Sequence, residues 1–202
     1  MIYICGDSFC VSDPDYGMCW TDILAQRFPV INLAQIAATN LLISQQVQQA
    51  IDNHAKFVIV HGTAVTRGEK RVADDVVPFS YHTASKTTTP FTDQQLQILK
   101  NYYTEFFDLD LAVLQNRITI EHSLRNLEDS QIPFRFDQGG FEHPNFGNAK
   151  TGYFGRFDQY RSKVNLWSYT VTRNYRPYYH IVDPAVHQTV ANYYTEQINQ
   201  SI

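Results

Sequence analysis

The first 62 residues alternate short apolar runs with amphipathic segments, and this alternation constrains the fold more than any other feature of the sequence. Apolar runs cover 1–5, 30–34 and 57–60, and between them 20–28 and 40–51 carry apolar residues at helical spacing. The order strand, helix, strand, helix, strand predicts right-handed crossovers and a parallel sheet with helices on both faces. In such sheets, functional groups lie beyond the carboxyl ends of the strands.

After the third strand the pattern becomes less regular. Residues 68–93 are polar and proline-containing and are predicted to form a long loop; residues 137–177 are rich in glycine, asparagine and aromatic residues, which favours a second long loop or lid. The remaining segments are predicted as one or two helices (93–126), a fourth strand (132–136), a short last strand (178–182) and a final helix (185–198). With 202 residues, the chain (1–202) is expected to be one α/β domain, a three-layer α/β/α sandwich.

Composition excludes several classes of protein. The formal net charge is −4, so no overall basic footprint for nucleic acid is present, and no apolar run is long enough to span a membrane. The N-terminus lacks the basic and small-residue pattern of a signal peptide, and Cys5, Cys10 and Cys19 are too few and too crowded for a disulfide framework. We therefore expect reduced thiols and a cytoplasmic location, with no nucleic-acid partner.

Ser8 is the first candidate for chemistry, because it follows the first strand in Gly6-Asp7-Ser8. Gly6 permits a sharp bend that would expose the Ser8 hydroxyl and N–H at the sheet edge. A serine nucleophile needs a base for its proton and donors for the oxyanion. The competing interpretation is purely structural, with Asp7 and Ser8 as turn formers that cap the next segment.

The segment Met1-Ile2-Tyr3-Ile4-Cys5-Gly6-Asp7-Ser8-Phe9 resembles the first block of the SGNH/GDSL hydrolases. Asn32-Leu33-Ala34 followed by Ala37-Ala38-Thr39-Asn40 is similar to the second block, and His180 and His187 around Asp183-Pro184 are similar to the last. Thr63, Arg67 and the stretch 107–112 resemble the branch encoded by tailed phages, especially cyanophages. The resemblance implies the SGNH hydrolase fold with a flavodoxin-like sheet, and the host cytoplasm as the location of a phage-encoded protein.

The resemblance also implies roles for individual residues. Ser8 is the expected nucleophile, and its N–H is an oxyanion donor together with that of Ala37, which stands where the family has glycine. The family's third-block asparagine is absent from Gly62-Thr63-Ala64-Val65, so Thr63 or Asn40 is the candidate for the third donor. Loss of one such donor costs about 2.7–4 kcal/mol of transition-state stabilisation, which raises the question of turnover.

His180 and His187 compete for the role of base, and the third alternative is that neither of them serves. If Asp183 caps the final helix, the loop histidine is His180, and the base lacks the family's orienting acid because Pro177 stands there. The alternative pairs Asp183 with His187 on the first helical turn, one residue further apart than in the family. His61, at the end of the third strand, is expected to make a structural hydrogen bond.

Arg67 follows the third strand and is a candidate for binding an anionic or hydroxyl-rich substrate, against the simpler interpretation of a surface arginine. No metal-ligand spacing and no phosphate-binding glycine loop occur, so no metal and no cofactor are expected.

The resemblance implies a serine ester hydrolase that cleaves a carboxylic ester of an acetylated glycan or lipid through an acyl-serine intermediate. The alternative is a weak or inactive binding module of the same fold, associated with a phage virion; a third idea is an acyltransferase. The expected partner is a small-molecule or glycan ester, and the sequence is compatible with a homo-oligomer.

Overall fold

The computed structural model describes residues 1–12, 17–72, 75–80, 91–139, 154–166, 169, 181 and 183–202, with only the backbone at 71, 72 and 75–78. The strands are β1 (Ile2–Cys5), β2 (Val30–Asn32), β3 (Phe57–His61), β4 (Gly68–Val72), β5 (Asp75–Phe79) and β6 (Phe134–Asp137). The helices are α1 (Trp20–Ala25), α2 (Asn40–Asp52), α3 (Asp93–Asn101), α4 (Leu109–Asp129) and α5 (Pro184–Asn199). Most of the predicted lid, and the predicted strand 178–182 except Ile181, lie outside the described residues.

Four of the strands form a parallel sheet in the order β2-β1-β3-β6. This confirms the predicted mixed α/β fold with a parallel sheet. In the register, Cys5 pairs with Val60 and His61 pairs with Asp137. The residues that follow β1, β3 and β6 therefore meet at one edge, which we call the carboxyl edge.

The two faces of the sheet are covered by different helices. Alternate residues of β1 and β3 point to opposite sides, so Ile4 and Ile59 pack with α1 and α5, whereas Cys5 and Val60 pack with α2 and α4. On the first side, the rings of Trp20 and Tyr194 lie 5.1 Å apart and join α1 to α5. Burial on both faces explains why these strands are continuous apolar runs.

The prediction of a long loop over 68–93 was wrong in its first part. β4 and β5 form an antiparallel hairpin in which Gly68 pairs with Phe79 and Val72 with Asp75. Among the described residues, each of these strands pairs only with the other. Two-stranded pairing does not require an apolar strand sequence, and Pro78 lies where a central strand would not tolerate it. Residues 81–90 are outside the described part of the chain.

Four of the five described helices have a capping residue at their start. Thr39, Thr92, Asp108 and Asp183 accept a hydrogen bond from a first-turn N–H of α2, α3, α4 and α5. The predicted helical stretch 93–126 is two helices, separated by a π-helical turn over Tyr102–Phe106. None of the helices in the described ranges has the length and hydropathy of a membrane-spanning segment.

Gly139 gives a test of how β6 is held against β3. Its φ is +50°, and a Cβ built there would lie 1.9 Å from the Gly62 carbonyl oxygen. We expect Gly139→Ala to lower the free energy of unfolding by clearly more than the roughly 1–2 kcal/mol that left-handed backbone alone costs an alanine. Denaturant unfolding curves measure the loss.

The matched control is Gly17→Ala, because Gly17 has φ +79° and a Cβ there meets no atom within 4 Å. The Gly17→Ala variant should lose only the unfolding free energy that the left-handed backbone costs an alanine. Equal destabilisation of the two variants would contradict the close approach of Gly139 to the end of β3.

Candidate functional site

Ser8 lies in a tight turn directly after β1. The turn is one 3-10 turn over Ser8–Cys10, capped by Asp7, whose Oδ1 accepts the Phe9 N–H at 3.1 Å. Ser8 retains 8% of its exposure. Within the described part of the chain, its hydroxyl has no hydrogen-bond partner and its N–H has no acceptor. A hydroxyl and the adjacent N–H therefore remain unengaged at the carboxyl edge.

Gly6 fixes the start of this turn. The side-chain amide of Gln46 accepts the Gly6 N–H at 2.7 Å and donates to the Gly6 carbonyl at 3.3 Å. A Cβ at Gly6 would lie 2.8 Å from the Cys10 Sγ and 3.1 Å from the His61 Cβ, so this close approach requires glycine. The backbone at the start of the turn is therefore fixed by close packing at Gly6 and by its two hydrogen bonds to Gln46 of α2.

The Asp7 carboxylate is fully buried beneath the serine turn. Its Oδ2 accepts the Thr63 hydroxyl and the Arg67 Nη1, the latter at 2.9 Å. Its Oδ1 lies 3.5 Å from the Nε2 of His61. The same Nη1 of Arg67 also donates to the Ala38 carbonyl at 2.9 Å, and the Arg67 side chain is only 18% exposed. Arg67, a sequence candidate for substrate binding, is thus bound to the protein itself.

His61 lies between two carboxylates. Its Nδ1 is 3.2 Å from the Asp137 Oδ2, and Asp137 also accepts the N–H groups of Gly139 and Leu166. Burial disfavours the imidazolium, but the carboxylates of Asp137 and then Asp7 outweigh it, and the pKa of His61 is raised above its ordinary value. The expected structural hydrogen bond of His61 is present.

Sequence reasoning missed Asp137, because 76 positions separate it from His61. The available signal was positional. His61 and Asp137 are the last residues of β3 and β6, and parallel pairing places them side by side.

Ala37, the second predicted oxyanion donor, has an unusual backbone. Its φ is +63°, a left-handed conformation that costs an alanine about 1–2 kcal/mol. Two other described non-glycine residues with positive φ, His54 and Gln131, directly follow helices α2 and α4, where this conformation is common. Ala37 is the third residue of a four-residue turn closed by the Ala38 N–H on the Gln35 carbonyl at 3.1 Å, a position that several turn types hold at positive φ and usually fill with glycine. Its N–H has no acceptor among the described residues. Strain of this kind is concentrated at functional sites.

The two candidates for a third donor are already occupied. The Asn40 amide accepts the Thr63 N–H at 2.9 Å and donates to the Thr63 carbonyl at 3.1 Å and to the Asn116 Oδ1 at 2.8 Å. The Thr63 hydroxyl donates to Asp7. Both residues are at the carboxyl edge, but their donors bind groups of the protein and hold the start of α2 against the turn after β3.

His187 is buried and engaged through both ring nitrogens. Its Nδ1 accepts the N–H of Trp20 at 3.2 Å, so its Nε2 carries the proton and donates to the Ile181 carbonyl at 2.9 Å. Burial lowers its pKa below the ordinary value, which keeps this neutral form. The Asp183 carboxylate caps α5 by accepting the Ala185 N–H. His180, the other candidate, lies outside the described residues.

The three cysteines do not compete with Ser8 as nucleophiles. Cys5, Cys10 and Cys19 are unpaired and buried, and burial is the first cause that raises the pKa of each thiol. Over the ranges that the structure describes, no three His, Cys, Asp or Glu side chains are grouped to hold a metal ion.

No family model and no curated protein matches this chain. The resemblance to the SGNH/GDSL hydrolases therefore rests on the sequence motifs alone.

The two buried histidines predict opposite pH effects on stability. Stabilisation by the His61 imidazolium is complete below the ordinary histidine pKa of about 6.5 and is lost as the pH rises through the raised pKa. Stabilisation by neutral His187 is complete above that pH and is lost as the pH falls through its lowered pKa. Together, the two histidines predict that the unfolding free energy is greatest at a pH near the ordinary histidine pKa.

The measurement is the unfolding free energy as a function of pH for the wild type, His61→Asn and His187→Asn. The difference between wild type and His61→Asn should shrink as the pH rises above about 6.5. The difference for His187→Asn should shrink as the pH falls below that value. A His61 difference that grows with rising pH would contradict the charge arrangement around His61.

Proposed function

We propose that the protein is a serine ester hydrolase of the SGNH/GDSL type. The observation that carries the proposal is the serine turn, whose Ser8 hydroxyl and N–H have no partner among the described residues and lie at the carboxyl edge of a parallel sheet. Ala37 supports it, because its φ is +63° and its N–H has no acceptor in the described part of the chain. The strand order β2-β1-β3-β6 agrees with a flavodoxin-like sheet and supports the three-layer SGNH hydrolase fold.

In the proposed reaction, the Ser8 Oγ attacks the ester carbonyl carbon and its proton passes to the imidazole of His180. The N–H groups of Ser8 and Ala37 bind the carbonyl oxygen as it becomes an oxyanion. The intermediate collapses, the alcohol leaves with the proton from the imidazolium, and the acyl group stays on Ser8. Water then attacks the acyl-enzyme in the same way and releases the acid.

His180 is preferred over His187 because of what His187 already does. Both nitrogens of His187 bind backbone groups of Trp20 and Ile181, which suits a cap of α1 rather than a base. For the substrate class, carboxylic esters of acetylated glycans or lipids, the support is the resemblance alone. Three unpaired cysteines agree with a reducing compartment such as the cytoplasm of a phage host.

The second candidate function is a binding module of the same fold, such as a virion-associated phage protein without turnover. The favouring observation is that the side-chain donors of Thr63 and Asn40 are already used within the protein. The Thr63 hydroxyl donates to Asp7, and the Asn40 amide donates to the Thr63 carbonyl and to Asn116. An oxyanion site with two donors instead of three loses about 2.7–4 kcal/mol of transition-state stabilisation.

Covalent labelling separates the two candidates. We expect a fluorophosphonate probe to label the wild type and Ser12→Ala but not Ser8→Ala, and p-nitrophenyl acetate hydrolysis to follow the same pattern. Ser12 is the matched control, because it lies four residues further on and its hydroxyl is bonded to Asp22.

The labelled site is identified by mass spectrometry of the digested protein. Absence of labelling and of hydrolysis in a wild type with a cooperative unfolding transition would overturn the hydrolase proposal and favour the binding module.

The choice of base is tested with His180→Asn and His187→Asn. Loss of a general base lowers kcat by roughly 10²–10⁴-fold, and we expect this for His180→Asn with little change in stability. His187→Asn should keep kcat within a few-fold but lose about 1–3 kcal/mol of unfolding free energy, because buried backbone groups lose their partners. The reversed pattern would assign the base to His187.

A further inference from the structure

We propose that Arg67 is a positioning residue that fixes the two oxyanion donors relative to each other. This inference rests on the proposed ester hydrolase function. One nitrogen, Nη1, donates to the Asp7 Oδ2 and to the Ala38 carbonyl, both at 2.9 Å. Asp7 precedes Ser8 and Ala38 follows Ala37 in the chain. Arg67 therefore bridges the two turns whose N–H groups bind the oxyanion.

On the first turn, Arg67 acts through Asp7. The carboxylate uses Oδ1 to cap the Phe9 N–H and Oδ2 to bind Arg67. With its carboxylate held from both sides, Asp7 fixes the orientation of the peptide that carries the Ser8 N–H. The same carboxylate binds the Thr63 hydroxyl, so the turn after β3 is held with it.

On the second turn, Arg67 holds a strained backbone conformation in place. The turn is joined to β1 by the Gln35 N–H, which donates to the Gly6 carbonyl at 3.2 Å, and it is closed by the Ala38 N–H on the Gln35 carbonyl at 3.1 Å. Ala37 stands between these groups with its φ of +63°. The Arg67 bond to the Ala38 carbonyl holds the far side of the turn and prevents the alanine from relaxing.

Charge decides against the simpler role of Arg67 as an anion-binding group. The guanidinium lies 2.9 Å from a fully buried carboxylate, so the Arg67–Asp7 pair presents little net charge to a substrate. His61 and Asp137 form a second pair beside it. A positioning role needs the two directed hydrogen bonds that are present, whereas an anion subsite needs uncompensated positive charge.

The experiment measures kcat and KM for Arg67→Ala and Arg67→Lys with two esters, neutral p-nitrophenyl acetate and p-nitrophenyl succinate, whose acyl group carries a carboxylate. Misplaced donors weaken binding of the transition state more than binding of the ester, so Arg67→Ala should lose about 10²-fold in kcat on both esters with KM little changed. Arg67→Lys should recover part of this loss, because an ammonium reaches an acceptor without the guanidinium geometry.

Arg27→Ala is the matched control. Arg27 also donates from Nη1 to two acceptors at 2.9 Å, Asn192 and Thr195, but it joins α1 to α5. We expect its kcat to equal that of the wild type. A loss confined to KM for the succinate ester in Arg67→Ala would overturn positioning in favour of an anion subsite.

Amide hydrogen exchange tests the bridge independently of activity. Arg67→Ala should lower the protection of the Phe9 and Ala38 amides together, and Arg27→Ala should not. Unchanged protection of both amides overturns the bridge, whatever the activity. If the wild type has no Ser8-dependent hydrolysis, the proposed function fails, and Arg67 as a positioning residue for oxyanion donors fails with it, even where the amides respond.

Discussion

The buried carboxylate of Asp7 is the group on which the candidate site depends. It receives hydrogen bonds from the Phe9 N–H, the Thr63 hydroxyl and Arg67, and it faces His61. A carboxylate removed from water needs such compensation, and loss of one partner of a buried ion pair costs about 3–5 kcal/mol. With Asp137 the cluster contains two carboxylates and two cationic groups, so it is neutral when His61 is protonated. The same Asp7 carboxylate therefore both shapes the serine turn and takes part in the charge balance beneath it.

The parallel sheet was predictable because β1 and β3 are buried on both faces. Burial of this kind requires uninterrupted apolar runs, and both strands are such runs. The hairpin of β4 and β5 was not predictable in the same way. Its strands include Glu69, Lys70 and Pro78, and within the described ranges they pair only with each other, so neither alternation nor a continuous apolar run identifies them.

The positions of the site residues were predictable, but their hydrogen-bond partners were less so. Local motifs place Ser8, Ala37, Thr63 and Arg67 at the carboxyl edge, and all four lie there. Their hydrogen-bond partners depend on distances between strands, which spacing along the chain does not contain. Thr63 and Arg67 were therefore expected to face the substrate, whereas they bind Asp7, and the pairing of His61 with Asp137 had no local motif at all.

The long sequence separation of these contacts determines when the serine turn is formed during folding. The bonds from Asp7 to Thr63 and Arg67 close loops of 56 and 60 residues, and that from His61 to Asp137 closes one of 76. Closure of such loops has an entropic cost that must be met before the contacts form, which makes topologies of this kind slow to fold. The turn therefore acquires its final geometry only when β1, β3 and β6 have paired. On refolding from denaturant, formation of the contacts of Asp7 with Thr63 and Arg67 would mark completion of the sheet rather than its beginning.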